Sequence, residues 1–261
     1  MPETRRDFLR PLRYAWRVPC VLLHLVVGLL LCVVLFTWSQ HAVMRDGREP
    51  LAHRMIRWWS ATLLRIFGLR PVCLGRPLAD PVLFVANHTS WLDIVLLHSQ
   101  RAVCFVAKAE IARWPLVGWM AQCGGTIFHR RGNNHSLASV MQTMVERLRS
   151  GRSVAVFPEG GTGYNGVLKV FHARIFQATL DAEVTVQPVA LRFASDGRRV
   201  IDAGFREGES FVGNILRLLG GPGMDAEVHF LAAVPSTPDA RRRMAELARE
   251  RIGHALDDNA A

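Results

Sequence analysis

The longest apolar run in the chain is Val18–Trp38, VPCVLLHLVVGLLLCVVLFTW. It carries no formal charge, and 14 of its 21 positions are Val, Leu or Phe. As a helix it is about 31 Å long at ~1.5 Å per residue, enough to cross a hydrocarbon core. Those 14 side chains contribute on the order of −4 to −8 kcal/mol to insertion, an upper bound that ignores position. The stretch that follows, TWSQHAVMRDG, holds no small-residue cleavage site, so the run is expected to stay on the chain as a membrane anchor. Arg5, Arg6, Arg10, Arg13 and Arg17 precede it, and Arg45, Arg48, Arg54 and Arg57 follow it. A single span places only one of these flanks on the positive side, whereas a helix that enters one leaflet and returns places both there. The next segment, LAHRMIRWWSATLLRIFGL, repeats apolar residues at helical spacing through Leu51, Met55, Trp58, Trp59, Thr62, Leu63, Ile66 and Phe67. Arg54, Arg57 and Arg65 fall on its other faces. The pattern fits a basic interfacial helix, and equally a core helix with one solvated side; its place beside the anchor favours the interface.

Beyond Pro71–Pro81, a proline-bearing stretch that reads as a linker, the period changes. Short apolar runs at Val82–Ala86, Ala102–Ala107, Thr126–Phe128, Ser153–Phe157, Thr185–Phe193 and Ala226–Val234 predict strands. Helical patterns at Trp91–His98, His135–Leu148, His172–Leu180 and Arg241–Leu256 predict helices. Alternation of this kind predicts an α/β fold, a mixed sheet flanked by helices, behind an N-terminal hydrophobic membrane-anchoring helical segment. The expected division is residues 1–70 for the anchoring helices and 71–261 for the α/β domain.

Half of the 261 residues are hydrophobic, which suffices for a core without disulfides. The formal net charge is +10. That excess suits an anionic partner such as a membrane surface, a phosphorylated substrate or nucleic acid. No nucleic-acid motif is present, and the membrane segment accounts for the charge. The five cysteines have no zinc-like spacing and no even count, which points to a reducing compartment.

Two stretches concentrate the chemistry. FVANHTSWLD, Phe84–Asp93, ends a strand in His88 and places Asp93 in the first turn of the next helix. A carboxylate on one imidazole nitrogen fixes the tautomer and leaves the other nitrogen to take a proton from a hydroxyl. The same residues also read as a capping box, with Ser90 as N-cap and Asp93 reaching back to it. FPEGGTGYNG, Phe157–Gly166, runs a strand into a glycine turn whose backbone N–H groups could face an anion. It lacks the lysine and spacing of a nucleotide-binding loop. A third stretch, GGTIFHRRG, ends a short strand in Arg130-Arg131, a fork suited to phosphate or simply a solvated edge. There is no G-x-S-x-G, no cysteine beside a base, and no further metal ligand at diagnostic spacing. The proton acceptor would therefore act directly on a bound hydroxyl, with no covalent enzyme intermediate.

Together, NHTSWLD, GTIFHRR, FPEGG and VQPV resemble, in order, the four blocks of the glycerolipid acyltransferase family, the 1-acylglycerol-3-phosphate acyltransferases: NHxxxxD, GxxFxxR, FPEG and V-x-P-[VI]. The resemblance covers about Val72 to Val234. It implies a membrane-bound enzyme that moves a fatty acyl chain from acyl-CoA or acyl-carrier protein to the sn-2 hydroxyl of lysophosphatidate, with no cofactor and no metal. It implies His88 as general base and Asp93 as the group that orients it. By the same resemblance Gly125, Phe128 and Arg131 bind the acceptor, Arg131 through its phosphate, and Glu159 and Gly160 help to position it. Arg130 stands where many members have an acid, and Gly161-Thr162-Gly163 replaces the usual hydroxyl residues. Another lyso-lipid acceptor, such as lyso-ornithine lipid, is the alternative of the same chemistry. A non-catalytic membrane-surface binding protein is the alternative of another class. The expected location is the inner (cytoplasmic) membrane, with membrane lipids as partners and the catalytic domain facing the cytoplasm.

Overall fold

The structure is a computed structural model and describes residues 7–38, 50–79, 81–130, 134–163, 166–235 and 241–257. Two helices lead the chain, α1 (Arg10–Trp38) and α2 (Leu51–Ile66). Then follow β1 (Leu69–Leu74), β2 (Val82–Ala86), α3 (Leu92–Gln100), β3 (Cys104–Lys108), α4 (Val117–Cys123) and β4 (Ile127–His129). The second half holds α5 (Asn134–Arg149), β5 (Val154–Val156), α6 (Gln177–Ala182), β6 (Thr185–Ser195), β7 (Arg198–Arg199), α7 (Phe211–Gly220), β8 (Met224–Phe230) and α8 (Arg241–Asp257).

One eight-stranded sheet runs in the order β1-β8-β6-β2-β5-β3-β4, with β7 hairpinned onto β6. The pairs β6-β2, β2-β5, β5-β3 and β3-β4 are parallel; β8 runs antiparallel to β6, and β1 lies parallel to β8. The expected mixed sheet is therefore present. β2, VLFVA, is buried at every position, the pattern of a central strand covered on both faces. Phe84, Leu191 and Phe230 point to one face, where Leu96 and Leu97 of α3 meet Leu64 and Phe67 at the end of α2. Leu83, Val85 and Val154 point to the other, against Met144 and Leu148 of α5 and Met244 and Ile252 of α8. Each fully buried side chain of this size contributes about 1.5–3 kcal/mol.

Four elements depart from the sequence reading, which assigns β1 to a linker and holds no expectation for α4, β7 or α7. The start of the expected linker, Pro71–Leu74, belongs to β1. Among the described residues β1 pairs with β8 alone, and an edge strand tolerates a proline that donates no ladder hydrogen bond. Helix α7 carries no expectation at all, although Ser210 caps it by accepting from the Gly213 N–H at 3.0 Å.

α1 is longer than the apolar run because it begins at Arg10. Among the described residues it is the one helix long and apolar enough to cross a membrane. It forms an antiparallel hairpin with α2. His24 Nε2 lies 2.9 Å from the Trp59 carbonyl, the Trp59 indole N–H donates to the His24 carbonyl at 3.2 Å, and the two rings stack at 4.8 Å. Gly28 permits the approach: a Cβ there would stand 2.6 Å from Trp59 Nε1. The basic end of α1 is tied to the last turn of α7. The Arg17 guanidinium donates to the Leu219 and Gly221 carbonyls at 3.0 and 2.8 Å, and the Tyr14 hydroxyl donates to the Leu216 carbonyl at 2.8 Å.

Candidate active site

The chain leaves β2 toward the face of α3 and reaches β3, two places along the sheet. It leaves β5, the neighbour of β2, toward the opposite face and reaches β6 by way of α6. Connections that part to opposite faces from adjacent parallel strands open a crevice at the carboxyl ends of those strands. The two chemically loaded stretches are the segments that leave β2 and β5.

Asn87 makes the exit from β2 possible. Its side-chain amide donates to the Leu191 carbonyl at 2.9 Å and its Oδ1 accepts from the Leu191 N–H at 2.8 Å. A buried side chain thus supplies one more rung of the β2-β6 ladder, and the backbone is released to turn at His88. His88 Nδ1 then lies 2.9 Å from Asp93 Oδ2. A carboxylate only accepts, so Nδ1 carries the hydrogen and Nε2 keeps its lone pair. The same Oδ2 accepts from the backbone N–H groups of Thr89 at 2.5 Å and Ser90 at 2.8 Å, and Oδ1 accepts from the Thr89 hydroxyl at 3.2 Å. Asp93 is fully buried, and these donors supply the compensation that a buried carboxylate requires. Asp93 reaches back to the Thr89 and Ser90 N–H groups and holds the imidazole, but the N-cap of α3 is Trp91 and not the expected Ser90, whose hydroxyl accepts from the Leu92 N–H while the Asp93 N–H donates to the Ser90 carbonyl.

Glu159 reaches across from the β5 side. Its Oε1 accepts from the His88 N–H at 2.8 Å and its Oε2 from the Lys169 N–H at 2.9 Å. It is buried, and burial pushes its carboxyl above the ordinary range, against the partial relief of those two N–H bonds and the nearby His88 and Lys169 charges. Phe157 stacks on the His88 ring at 4.0 Å and 12°. Asn87, His88, Thr89, Glu159, Gly163 and Arg199 share a small cleft with Val167, Leu168 and Leu256.

Two of the N–H groups in the glycine turn are spent inside the fold. Gly160 donates its N–H to the Phe157 carbonyl at 3.3 Å and Gly163 to the His88 carbonyl at 2.7 Å, so both groups are already used. Gly160 sits at φ +72°, where a Cβ would also stand 2.9 Å from His172 Nε2. Glycine is required there for the turn.

Gly125 and Phe128 are not at the cleft. Gly125 joins α4 to β4 at φ +77°, and Phe128 lies in β4 opposite Ala107. Phe128 lies three strand spacings from β2, roughly 14 Å, and Gly125 enters β4 from the amino-terminal edge of the sheet, beside Cys104 at the start of β3. Arg131 lies outside the described residues. The sequence reading missed Phe157 as a partner of His88, and it missed Lys169, Arg199 and the segment 204–217. Only Phe157 had a signal, its place one residue before the motif proline.

The family model described as Acyltransferase matches residues 72–192. A lyso-ornithine lipid O-acyltransferase of Pseudomonas aeruginosa is 37% identical over 212 residues, covering 81% of this chain and 82% of that protein. A 1-acyl-sn-glycerol-3-phosphate acyltransferase of Neisseria gonorrhoeae is 38% identical over 130 residues, 48% of this chain and 51% of that one. The crystal structure of the 1-acyl-sn-glycerophosphate acyltransferase PlsC from Thermotoga maritima superposes with a TM-score of 0.65 over 94% of this chain and 95% of its own, at 19% identity, a likeness of fold. Four motif blocks in order, two of them meeting across a sheet crevice, and a relative matched over most of both chains place this protein in the glycerolipid acyltransferase family, as an acyltransferase of the lysophospholipid type.

Proposed function

We propose that the protein transfers a fatty acyl chain from an acyl thioester, on coenzyme A or acyl-carrier protein, to the free hydroxyl of a lyso-lipid, with His88 as general base. The observation that carries this reading is the 2.9 Å contact of His88 Nδ1 with fully buried Asp93, on an imidazole that keeps 16% of its side chain exposed at the cleft. Nε2 takes the hydroxyl proton as the oxygen attacks the thioester carbonyl. The imidazolium, paired with Asp93, returns that proton to the departing thiolate. The acyl chain passes directly from sulfur to oxygen, and the enzyme forms no covalent bond. A positioned base of this kind is worth ~10²–10⁴ in rate. Glu159 and Gly160 shape the loop beneath His88, and Arg131, Gly125 and Phe128 of the GTIFHRR block engage the acceptor headgroup.

Lyso-ornithine lipid is the acceptor we favour, because the relative matched over 82% of its length acts, by its name, on that lipid. Lysophosphatidate is the second reading, favoured by the matched relative from Neisseria gonorrhoeae. The apolar α1-α2 hairpin, tied to the domain through Arg13 and Arg17 of α1, supports an anchor in the inner membrane and a crevice on the cytoplasmic side. The test is the purified protein in detergent with acyl thioesters and both acceptors, the products identified by mass. Acylated ornithine lipid is expected, with His88→Ala reducing turnover about 10³-fold and Asp93→Asn lowering kcat far more than acceptor affinity. Turnover retained in His88→Ala would remove the base from the mechanism. Exclusive acylation of lysophosphatidate would reverse the choice of acceptor.

A further inference from the structure

The loop that carries His88 is held from outside by a segment that no family block marks. Trp91 lies between His88 and Asp93 in sequence, and its indole N–H donates to Asn214 Oδ1 at 2.9 Å. Asn214 is fully buried in α7 and uses its whole amide: Nδ2 donates to the Gly204 carbonyl at 3.1 Å and to Glu209 Oε2 at 2.9 Å. These partners fix the amide's orientation, since a flip would set its NH₂ against the indole N–H and its oxygen against a carboxylate and a carbonyl. Arg217 locks Glu209 in turn, Nε to Oε1 at 2.7 Å and a second nitrogen to Oε2 at 2.8 Å. A second tether runs beside the first, where the Phe205 N–H donates to the Thr89 carbonyl at 3.3 Å. Phe67 and Phe211 close on the indole edge-to-face at 5.3 and 5.8 Å.

We propose that Asn214 is a positioning residue for the His88–Asp93 pair and acts through Trp91. The inference rests on that pair being catalytic. Thr89 and Ser90, whose N–H groups converge on Asp93, stand immediately before Trp91, and the Asp93 N–H bonds back to the Ser90 carbonyl. A shift of the indole therefore moves the turn that sets the distance between carboxylate and imidazole. A leucine of similar volume would fill the site without a buried amide. A fully bonded asparagine adds direction, which packing alone lacks. Helix α7 is a rigid seat for it, because its last turn is bonded to Arg17 and Tyr14 of α1.

The test uses the full chain in detergent with an acyl thioester and a lyso-lipid acceptor, comparing His88→Ala, Trp91→Phe, Asn214→Leu and the double Trp91→Phe/Asn214→Leu. Each of the two single changes in the brace is expected to lower kcat about tenfold while acceptor KM stays within about twofold. The double variant is expected to lose no more than the worse single one, because both remove the same bond. Additive losses, losses confined to KM, or a wild-type kcat in Trp91→Phe would overturn the proposal while an inactive His88→Ala leaves the catalytic reading standing. Full turnover in His88→Ala would overturn both. If Asn214→Leu fails to fold, Trp91→Phe, which keeps an aromatic ring in the slot, decides by its kcat.

Discussion

Glu159 is the residue whose chemistry and burial conflict most. Its two carboxylate oxygens hold the His88 and Lys169 backbone, yet burial favours its neutral form. Because its folded-state pKa is raised above the ordinary value of 4.5, its favourable contribution to stability is present below that value and is lost as pH rises through the raised one. Burying the ionised form of Glu159 costs stability, and the two acceptor bonds that fix the His88 loop offset part of that cost. Glu159→Gln presents an amide N–H to one of the two donors and breaks that bond. We expect its kcat at neutral pH to fall on the order of tenfold. As pH is lowered from 7 through the raised pKa, the wild type is expected to gain thermal stability relative to the variant. A constant difference in unfolding midpoint across that range would show that Glu159 titrates normally. At this scale the sequence was informative. His88, Asp93, Glu159 and Gly160 are contiguous in motif form, and the turn chemistry that brings His88 to Asp93 is local. Phe157 stands in the FPEG block, but its stacking on His88, like the reach of Asn214 to the same loop, comes from tertiary packing that spacing along the chain does not encode.

Among the elements, the glycines of two helices make opposite predictions. Gly28 lies where α1 crosses α2, with Trp59 Nε1 2.6 Å from the place a Cβ would take. Gly28→Leu should pry the hairpin apart and cost about 1–3 kcal/mol, as overpacking does elsewhere. Gly253 lies in α8, and the nearest atom to its missing Cβ is Leu168 Cδ2 at 3.8 Å, an ordinary contact. Gly253→Ala should stabilise by about 0.5–1 kcal/mol, from helix propensity and reduced freedom of the unfolded chain. Thermal unfolding in one detergent compares the two, and a shift of equal sign would contradict the helix-crossing account. The legible elements were those with a clean period: β2 was read at its observed ends, Val82–Ala86, and α8 to within a residue. β1 was read as linker because Pro71 is a breaker everywhere except on an edge, and edge position is a property of the sheet. α7 was passed over because its ten residues hold two glycines, and because its apolar face is matched by α1, far away in sequence.

For the molecule as a whole, the order of strands was beyond a local reading. β6 lies between β8 and β2, and nothing in a strand's own sequence names its neighbours. Once folded, that order sets the crevice at the junction of β2 and β5, while the α1-α2 hairpin and α7 stack on the face of the sheet that also holds α3. Exposed apolar side chains gather there: Phe8, Leu12, Trp16, Leu23 and Leu30 of α1 and its lead-in, Trp58 of α2, and Val212 and Leu216 of α7. A surface this apolar, on a chain of net charge +10, implies two separable components of membrane binding. The apolar component is insensitive to salt, and the electrostatic one is screened within ~3 Å at 1 M. Flotation with vesicles should therefore show tighter binding to anionic than to neutral lipid at low salt, with the difference lost near 1 M while binding to both persists. Leu23→Glu/Leu30→Glu should abolish the persistent part and leave the salt-sensitive part, since both carboxylates sit on the exposed side of α1 and away from the arginines that tie it to α7. Release of the wild type from both vesicle types by salt alone would mean that the hairpin packs against protein and leaves the bilayer untouched.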